Sequence, residues 1–476
     1  MNYETVIGLE VHVELKTKTK IFCSCKNEFG GDPNENICPV CIGLPGTLPT
    51  LNEKVIEYAI KAGLALNCNI QLISRMDRKN YYYPDLPKAY QISQYELPIC
   101  LGGHVDIEVD GETRRIGITR IHIEEDAGKL VHDPYSDGTI VDYNRGGVPL
   151  IEIVTEPDLR SAEEVRVFME TLRAMLLYVD VSDCKMQEGS LRCDINLSLR
   201  EYGAKEFGVR SEMKNVNSFR GAVRAVEYEQ FRQKNILDDG GKVIQETRRW
   251  DDTAGKSYAM RSKEEAQDYR YFPDPDLVPI VLKQETVDEI KKNMPELPNA
   301  KKQRYISELS LPEYDASIIT SAKSIADFFD ACVVNYNNPK TVSNWIMGDI
   351  LRLIKEKETN IDEFSMDAQE FINLLNMVDN NKINQAAGKK VLEEMFVCGG
   401  KAQDIVEAKG LLQISDESFI LDIIKKIISE NPQPVLDYKN GNKKAVAFFV
   451  GQVMKQSKGK ANPKIVNELL EKELNN

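Results

Sequence analysis

Four stretches of the chain alternate apolar and polar residues with a period of two. In Ile7–Leu15 (IGLEVHVEL) Ile7, Leu9, Val11, Val13 and Leu15 are apolar, and Glu10, His12 and Glu14 fall between them. That pattern predicts a half-buried strand carrying Glu10 and His12 on its polar face, about 7 Å apart. Ser190–Leu199 (SLRCDINLSL) repeats the design and places Arg192, Asp194 and Asn196 together on a polar face. Ile116–Asp126 (IGITRIHIEED) changes parity between Ile118 and Ile121, which predicts a bulge, and ends in Glu124, Glu125 and Asp126. In Val148–Thr155 (VPLIEIVT) Glu152 is a lone carboxylate inside an apolar run.

Further along, the period changes. The proline-rich stretches FPDPDLVP (272–279) and MPELPNA (294–300) interrupt the strand pattern. Beyond them Ile318, Ile319, Ala322, Ile325, Ala326 and Phe329 recur at helical intervals, as do Ile420, Ile423, Ile424, Ile427 and Ile428. Gly399-Gly400 and the polar stretch Gln413–Glu417 mark a softer break. The expected fold is α+β: a β-rich body over 1–293, an all-helical connector over 294–407 and a small helical tail domain over 408–476.

Composition fits that plan. A chain of 476 residues, 42% apolar and 29% charged, has material for about three domains. Whole-chain disorder, a collagen-like chain and a membrane protein are excluded. No run reaches the roughly 18 apolar residues of a spanning helix, and the start shows no signal peptide, so a cytoplasmic protein without membrane partners is expected. The net charge of −14 is unevenly spread. Residues 431–476 hold eight lysines against four acidic residues, so the other 430 carry −18. No Asp or Glu interrupts Lys439–Lys464. Lys443, Lys444, Lys455, Lys458 and Lys460 would grip a polyanion there, or form a solvated face; Val446, Phe448, Phe449 and Val453 can supply a small core.

Three groups of residues carry candidate chemistry. Cys23 and Cys25, then Cys38 and Cys41 after twelve residues, have spacing for a closed structural zinc site, or are four reduced thiols. The carboxylates of the four strands with one imidazole would bind Mg²⁺ or Mn²⁺, or simply face water. The segment 74–93 (SRMDRKNYYYPDLPKAYQIS) packs Arg75, Arg78, Lys79 and Lys88 among tyrosines; it suits phosphates and a stacked base, or is a structural loop. No Walker loop, dinucleotide fingerprint, GxSxG elbow or HExxH motif is present.

These segments together resemble one family. The blocks YETVIGLEVHVEL, CPVCIGLPGTLPTLN, DRKNYYYPDLPKAYQISQY, GVPLIEIVTEPD and KMQEGSLRCDINLSL are similar to the B subunit of the aspartyl/glutamyl-tRNA(Asn/Gln) amidotransferases, GatB, over almost the whole chain. The resemblance implies a ligase in a heterotrimer with an amidase (the A subunit) plus a small C subunit. The amidase releases ammonia from glutamine. The B subunit uses ATP to phosphorylate the side-chain carboxylate of Glu on tRNA(Gln), or Asp on tRNA(Asn), and ammonia displaces the phosphate. The resemblance further implies a kinase/transamidase body, a YqeY-like tRNA-binding tail, Mg²⁺ and, in part of the family, structural zinc. Carried onto this chain, the catalytic set is Glu10, His12, Lys79, Glu125, Glu152 and Asp194. His12, Glu125, Glu152 and Glu10 would hold the metal, and Arg78, Lys79, Lys88 and Arg192 would face phosphate or the ammonia channel.

Overall fold

The structure is a computed structural model that describes residues 2–132, 138–262, 268–413, 416–440, 442, 445–457 and 460–475. The chain divides into two compact units, 1–300 and 301–476.

The first unit is built on a ten-stranded sheet. Its order runs Lys256–Ser262, Glu246–Asp251, Ser211–Val216, Leu191–Glu201, Tyr3–Glu14, Pro149–Thr155, Glu112–Glu125, Cys100–Leu101, Asn69–Ile70, with His104–Val109 also paired to Glu112–Glu125. Every pairing is antiparallel except Ser211–Val216 with Glu246–Asp251, which the helix Phe219–Asp238 connects as a parallel pair requires. The alternating stretches of the sequence are its central strands. Ile7, Leu9, Val11 and Val13 lie in the core with Ile151, Ile153, Ile195 and Leu197. The expected bulge is present: Val154 faces Arg120 and Thr155 faces Ile118, leaving Thr119 as the extra residue.

Three helices cover the apolar side. Glu53–Ala65 packs on Glu112–Glu125, Ala162–Tyr178 on His104–Val109 and Phe219–Asp238 on Leu191–Glu201. Their starts are specified locally. The Ser161 hydroxyl accepts the Glu164 amide, and the Glu164 carboxylate accepts the amide of Arg160. With that side filled, the polar residues of the same strands are left on the opposite face. A small three-stranded sheet of Phe272–Pro273, Asp77–Asn80 and Tyr90–Ser93 meets the end of Glu112–Glu125.

The named elements among the described residues of the second unit are all helices, and it has two apolar clusters. One gathers Ile319, Ile325, Phe329, Trp345, Phe371 and Val391; the other, beyond residue 416, gathers Ile420, Ile424, Phe449, Val453 and Leu470. Gly399, at φ +67°, ends the helix Gln385–Cys398 in a backbone conformation that favours glycine. Phe449 and Val453 are core residues of the tail, whereas Phe448 stays exposed.

Candidate active site and metal centres

Backbone register assembles the site. His12 sits opposite Glu152 on one neighbouring strand and opposite Arg192 on the other, and Glu152 sits opposite His122. Directly opposed residues share a face, so these side chains and Glu124, two residues past His122, leave the sheet together. His12 Nε2 lies 3.4 Å from Glu152 and 3.6 Å from Glu124. His122 Nε2 lies 3.3 Å from Glu152 and 3.6 Å from Glu124. Burial opposes the charge on both imidazoles, but Glu152 and Glu124 outweigh it; both pKa values are raised, that of His122 to about 9. Burial also opposes the Glu152 carboxylate, yet His122 and His12 hold it well below the usual range.

One donor atom each from His12, Glu124 and Glu152 can lie within 4.8 Å of the others. Two carboxylates and an imidazole converging at that spacing fit a hard divalent cation such as Mg²⁺ or Mn²⁺. A cavity of about 260 Å³ opens beside them, lined also by Lys79, Asp126 and Arg192. Lys79 Nζ lies 4.8 Å from the centre of the Tyr269 ring, and Arg192 donates to Asp126 at 2.8 Å. The cavity thus pairs an acid group able to hold a cation with two cationic side chains able to meet phosphate oxygens.

Glu125 is not in this group. Its parity matches Ile121 and Ile123, so its carboxylate turns to the other side of the strand. There both its oxygens accept from Lys88 Nζ at 2.6 Å, and one also accepts the Ile92 amide at 2.9 Å. The acid that joins His12 and Glu152 is Glu124. Arg78 is displaced from the phosphate-facing set by the same alternation: next to Lys79, it turns away and pairs with Asp274 at 2.9 Å and Asp276 at 2.8 Å. Arg78, Lys88 and Glu125 line a second cavity of about 290 Å³.

Glu10 and Asp194, opposite each other in register, form a separate group with Glu212. Lys214 already sits on it, 2.5 Å from Asp194 and 3.4 Å from Glu212. Burial, then Glu152, Glu212 and Asp194, push the Glu10 pKa up, and Asn196 donates to its carboxylate at 3.0 Å. Sequence reasoning missed His122, Glu124, Glu212 and Lys214 as site residues. Each nevertheless lies at a polar position of an alternating run, RIHIE or SEMKNV.

The four cysteines Cys23, Cys25, Cys38 and Cys41 converge, one sulfur each within 4.8 Å of the others, and all ten cysteines are free. Cys23 beside it, the Cys38 amide at 3.1 Å and Lys20 hold the Cys41 thiol well below its ordinary pKa. Four sulfurs this close fit a tetrahedral, closed metal site.

Residues 5–288 match the GatB/GatE catalytic domain, and residues 327–474 match the GatB domain. The chain is similar along its full length to the B subunit of the aspartyl/glutamyl-tRNA(Asn/Gln) amidotransferase of Caldicellulosiruptor bescii, at 60% identity over 100% of this chain and 99% of the relative. The B subunit from Thermoanaerobacter pseudethanolicus is 58% identical over 100% of both chains, and that from Carboxydothermus hydrogenoformans 53% identical over 99% of both. The chain belongs to the GatB family.

For this GatB family member the catalytic-domain match covers the whole acid-and-histidine face and the cysteine knuckle. The GatB-domain match covers the lysine-rich tail, where Lys455 and Lys460 are exposed. Lys443, Lys444 and Lys458 lie outside the described residues. Among the described residues no helix is long and apolar enough to cross a membrane.

Proposed function

We propose that the chain acts in the cytoplasm as the B subunit of a tRNA-dependent amidotransferase, whose partners are an amidase (the A subunit) plus a small C subunit. It binds misacylated tRNA(Gln) or tRNA(Asn) and ATP, phosphorylates the side-chain carboxylate of the esterified Glu or Asp, and lets ammonia from glutamine displace phosphate. The observation that carries this reading is the convergence of His12, Glu124 and Glu152 beside Lys79 and Arg192 in one cavity.

In this reading His12, Glu124 and Glu152 would hold a Mg²⁺ or Mn²⁺, which would supply charge neutralisation at the phosphate oxygens. Lys79 and Arg192, which line the same cavity, bind those oxygens and orient the γ-phosphate toward the substrate carboxylate. Glu10 and Asp194, with Lys214 between Asp194 and Glu212, line a second cation position or the remaining phosphates. Lys88, Arg78 and Glu125 face the neighbouring cavity and are assigned to the ammonia side. Cys23, Cys25, Cys38 and Cys41 hold structural zinc. We assign residues 1–293 to the catalytic domain, 294–407 to a connector and 408–476 to a tail that grips the tRNA backbone, with Lys455 and Lys460 among the phosphate contacts and Lys443, Lys444 and Lys458 beside them.

The test is Glu-tRNA-dependent ATP hydrolysis in the assembled complex, run with Glu-tRNA(Gln) and Asp-tRNA(Asn) side by side. Glu152→Gln should lower it by at least about 100-fold while glutaminase turnover changes little. Survival of both activities would remove this face from the chemistry.

A further inference from the structure

Lys20 has 0% of its surface exposed, so its ammonium is fully out of water. A buried charge persists only with a counter-charge and hydrogen bonds. Lys301, nearly as buried, has Asp327 at 3.1 Å and Asp330 at 2.6 Å. Lys20 has no such acid: among the described residues the partners of its Nζ are the Tyr143 carbonyl at 3.1 Å and the Cys41 sulfur at 3.8 Å. A carbonyl orients an ammonium but does not neutralise it. Of these two partners only the Cys41 sulfur can carry a counter-charge, and it also accepts the Cys38 amide at 3.1 Å.

We propose that Lys20 is the outer partner of the four-cysteine site: its ammonium donates an N–H···S hydrogen bond to the Cys41 thiolate and so sets how firmly the knuckle holds its metal. This rests on the zinc reading of the four thiols. Four thiolates around a dication leave a net charge of about −2, which one adjacent ammonium halves. A hydrogen bond to a ligating sulfur also lowers its affinity for protons, and protonation is a route by which thiolates release zinc. The arrangement reaches further than the metal. The knuckle ends at Gly43 (φ +69°), packed so closely on Lys88 that a Cβ there would lie 2.5 Å from Lys88 Cγ. Lys88 in turn holds Glu125, and Lys20, Cys23, Cys41, Lys88 and Glu125 share the 290 Å³ cavity.

The experiment is zinc release from the assembled complex to an excess of chromogenic chelator. Lys20→Met keeps most of the length of the side chain without its charge and should release zinc at least about 10-fold faster than wild type, with Lys20→Arg within about 3-fold of it. In cobalt-substituted protein the thiolate-to-metal charge-transfer band should shift in Lys20→Met and stay in place in Lys20→Arg. If Lys20→Met does not assemble, Lys20→Gln carries the same test, with release at least about 3-fold faster. Wild-type protein holding one zinc per chain, with release unchanged by these substitutions, would overturn the role of Lys20. Wild-type protein that holds no zinc would instead overturn the zinc reading on which it rests.

Discussion

The two clusters of side chains able to ligate a metal are built in opposite ways. His12, Glu124 and Glu152 stand on three neighbouring strands, and their spacing is fixed by ladder hydrogen bonds the cluster itself does not make. Cys23, Cys25, Cys38 and Cys41 stand on a loop that has one isolated bridge, Thr19 with Lys26, a few turns, and a handful of ties to residues 142–147, through the amides of Ile21, Asn34 and Asn36. The sheet-held cluster therefore keeps its shape whatever its ligands do, whereas the loop-held cluster depends on what its sulfurs bind. Ligand chemistry follows: oxygen and imidazole for a hard, exchangeable cation, four sulfurs for a closed structural one.

The largest effect should come from the sheet. Glu124→Gln preserves shape and removes one charge, so ATP-dependent amidation should fall at least about 100-fold, about 3 kcal/mol of barrier. Calorimetry of the same variant should show Tm moving by less than about 2 °C. A collapse in Tm with a modest loss of rate would mean that this cluster, too, is structural. Cys38→Ser should invert the pattern: zinc is lost and the first unit is destabilised by roughly 3 kcal/mol, read by metal analysis and calorimetry together. An unchanged Tm after zinc loss would contradict it.

Smaller effects sharpen the same contrast. Lys214→Met strands Glu10, Asp194 and Glu212 without their ammonium and should cost about 1 kcal/mol, discounted for the partial exposure of Lys214. Millimolar Mg²⁺ or Mn²⁺ should recover that loss if the three acids accept a cation in its place, and a denaturant titration with and without metal decides. The least perturbing probe is brief alkylation followed by mass spectrometry. Exposed Cys398 should react first, while burial pushes the Cys68 and Cys332 thiols up to about 12 and keeps them unmodified. Labelling of Cys332 ahead of Cys398 would show that the helical unit opens more readily than its packing implies.

The strands were legible because one face is filled with helices and the other is not, which is the condition for strict alternation. Ile7–Leu15, the extra residue near Thr119 and the helix end at Gly399 all follow from local pattern. At the acid pair Glu124-Glu125 local pattern and family resemblance disagree. Family resemblance pointed to Glu125, yet the parity of Ile121 and Ile123 already placed its side chain with theirs. His122 became a site residue only once register set it opposite Glu152, a pairing between positions far apart in the chain. Lys20 could not be found at all from sequence, since the partners that bury it include the carbonyl of Tyr143.

By geometry Glu124, not Glu125, joins His12 and Glu152 in the group able to hold a divalent cation. Electron paramagnetic resonance titration of Mn²⁺ into the assembled complex tests it directly, comparing wild type, Glu124→Gln and Glu125→Gln. Glu124→Gln should lose at least about 10-fold in Mn²⁺ affinity, and Glu125→Gln, whose carboxylate is tied to Lys88, should bind as wild type does. Loss of binding in Glu125→Gln with retention in Glu124→Gln would contradict the account.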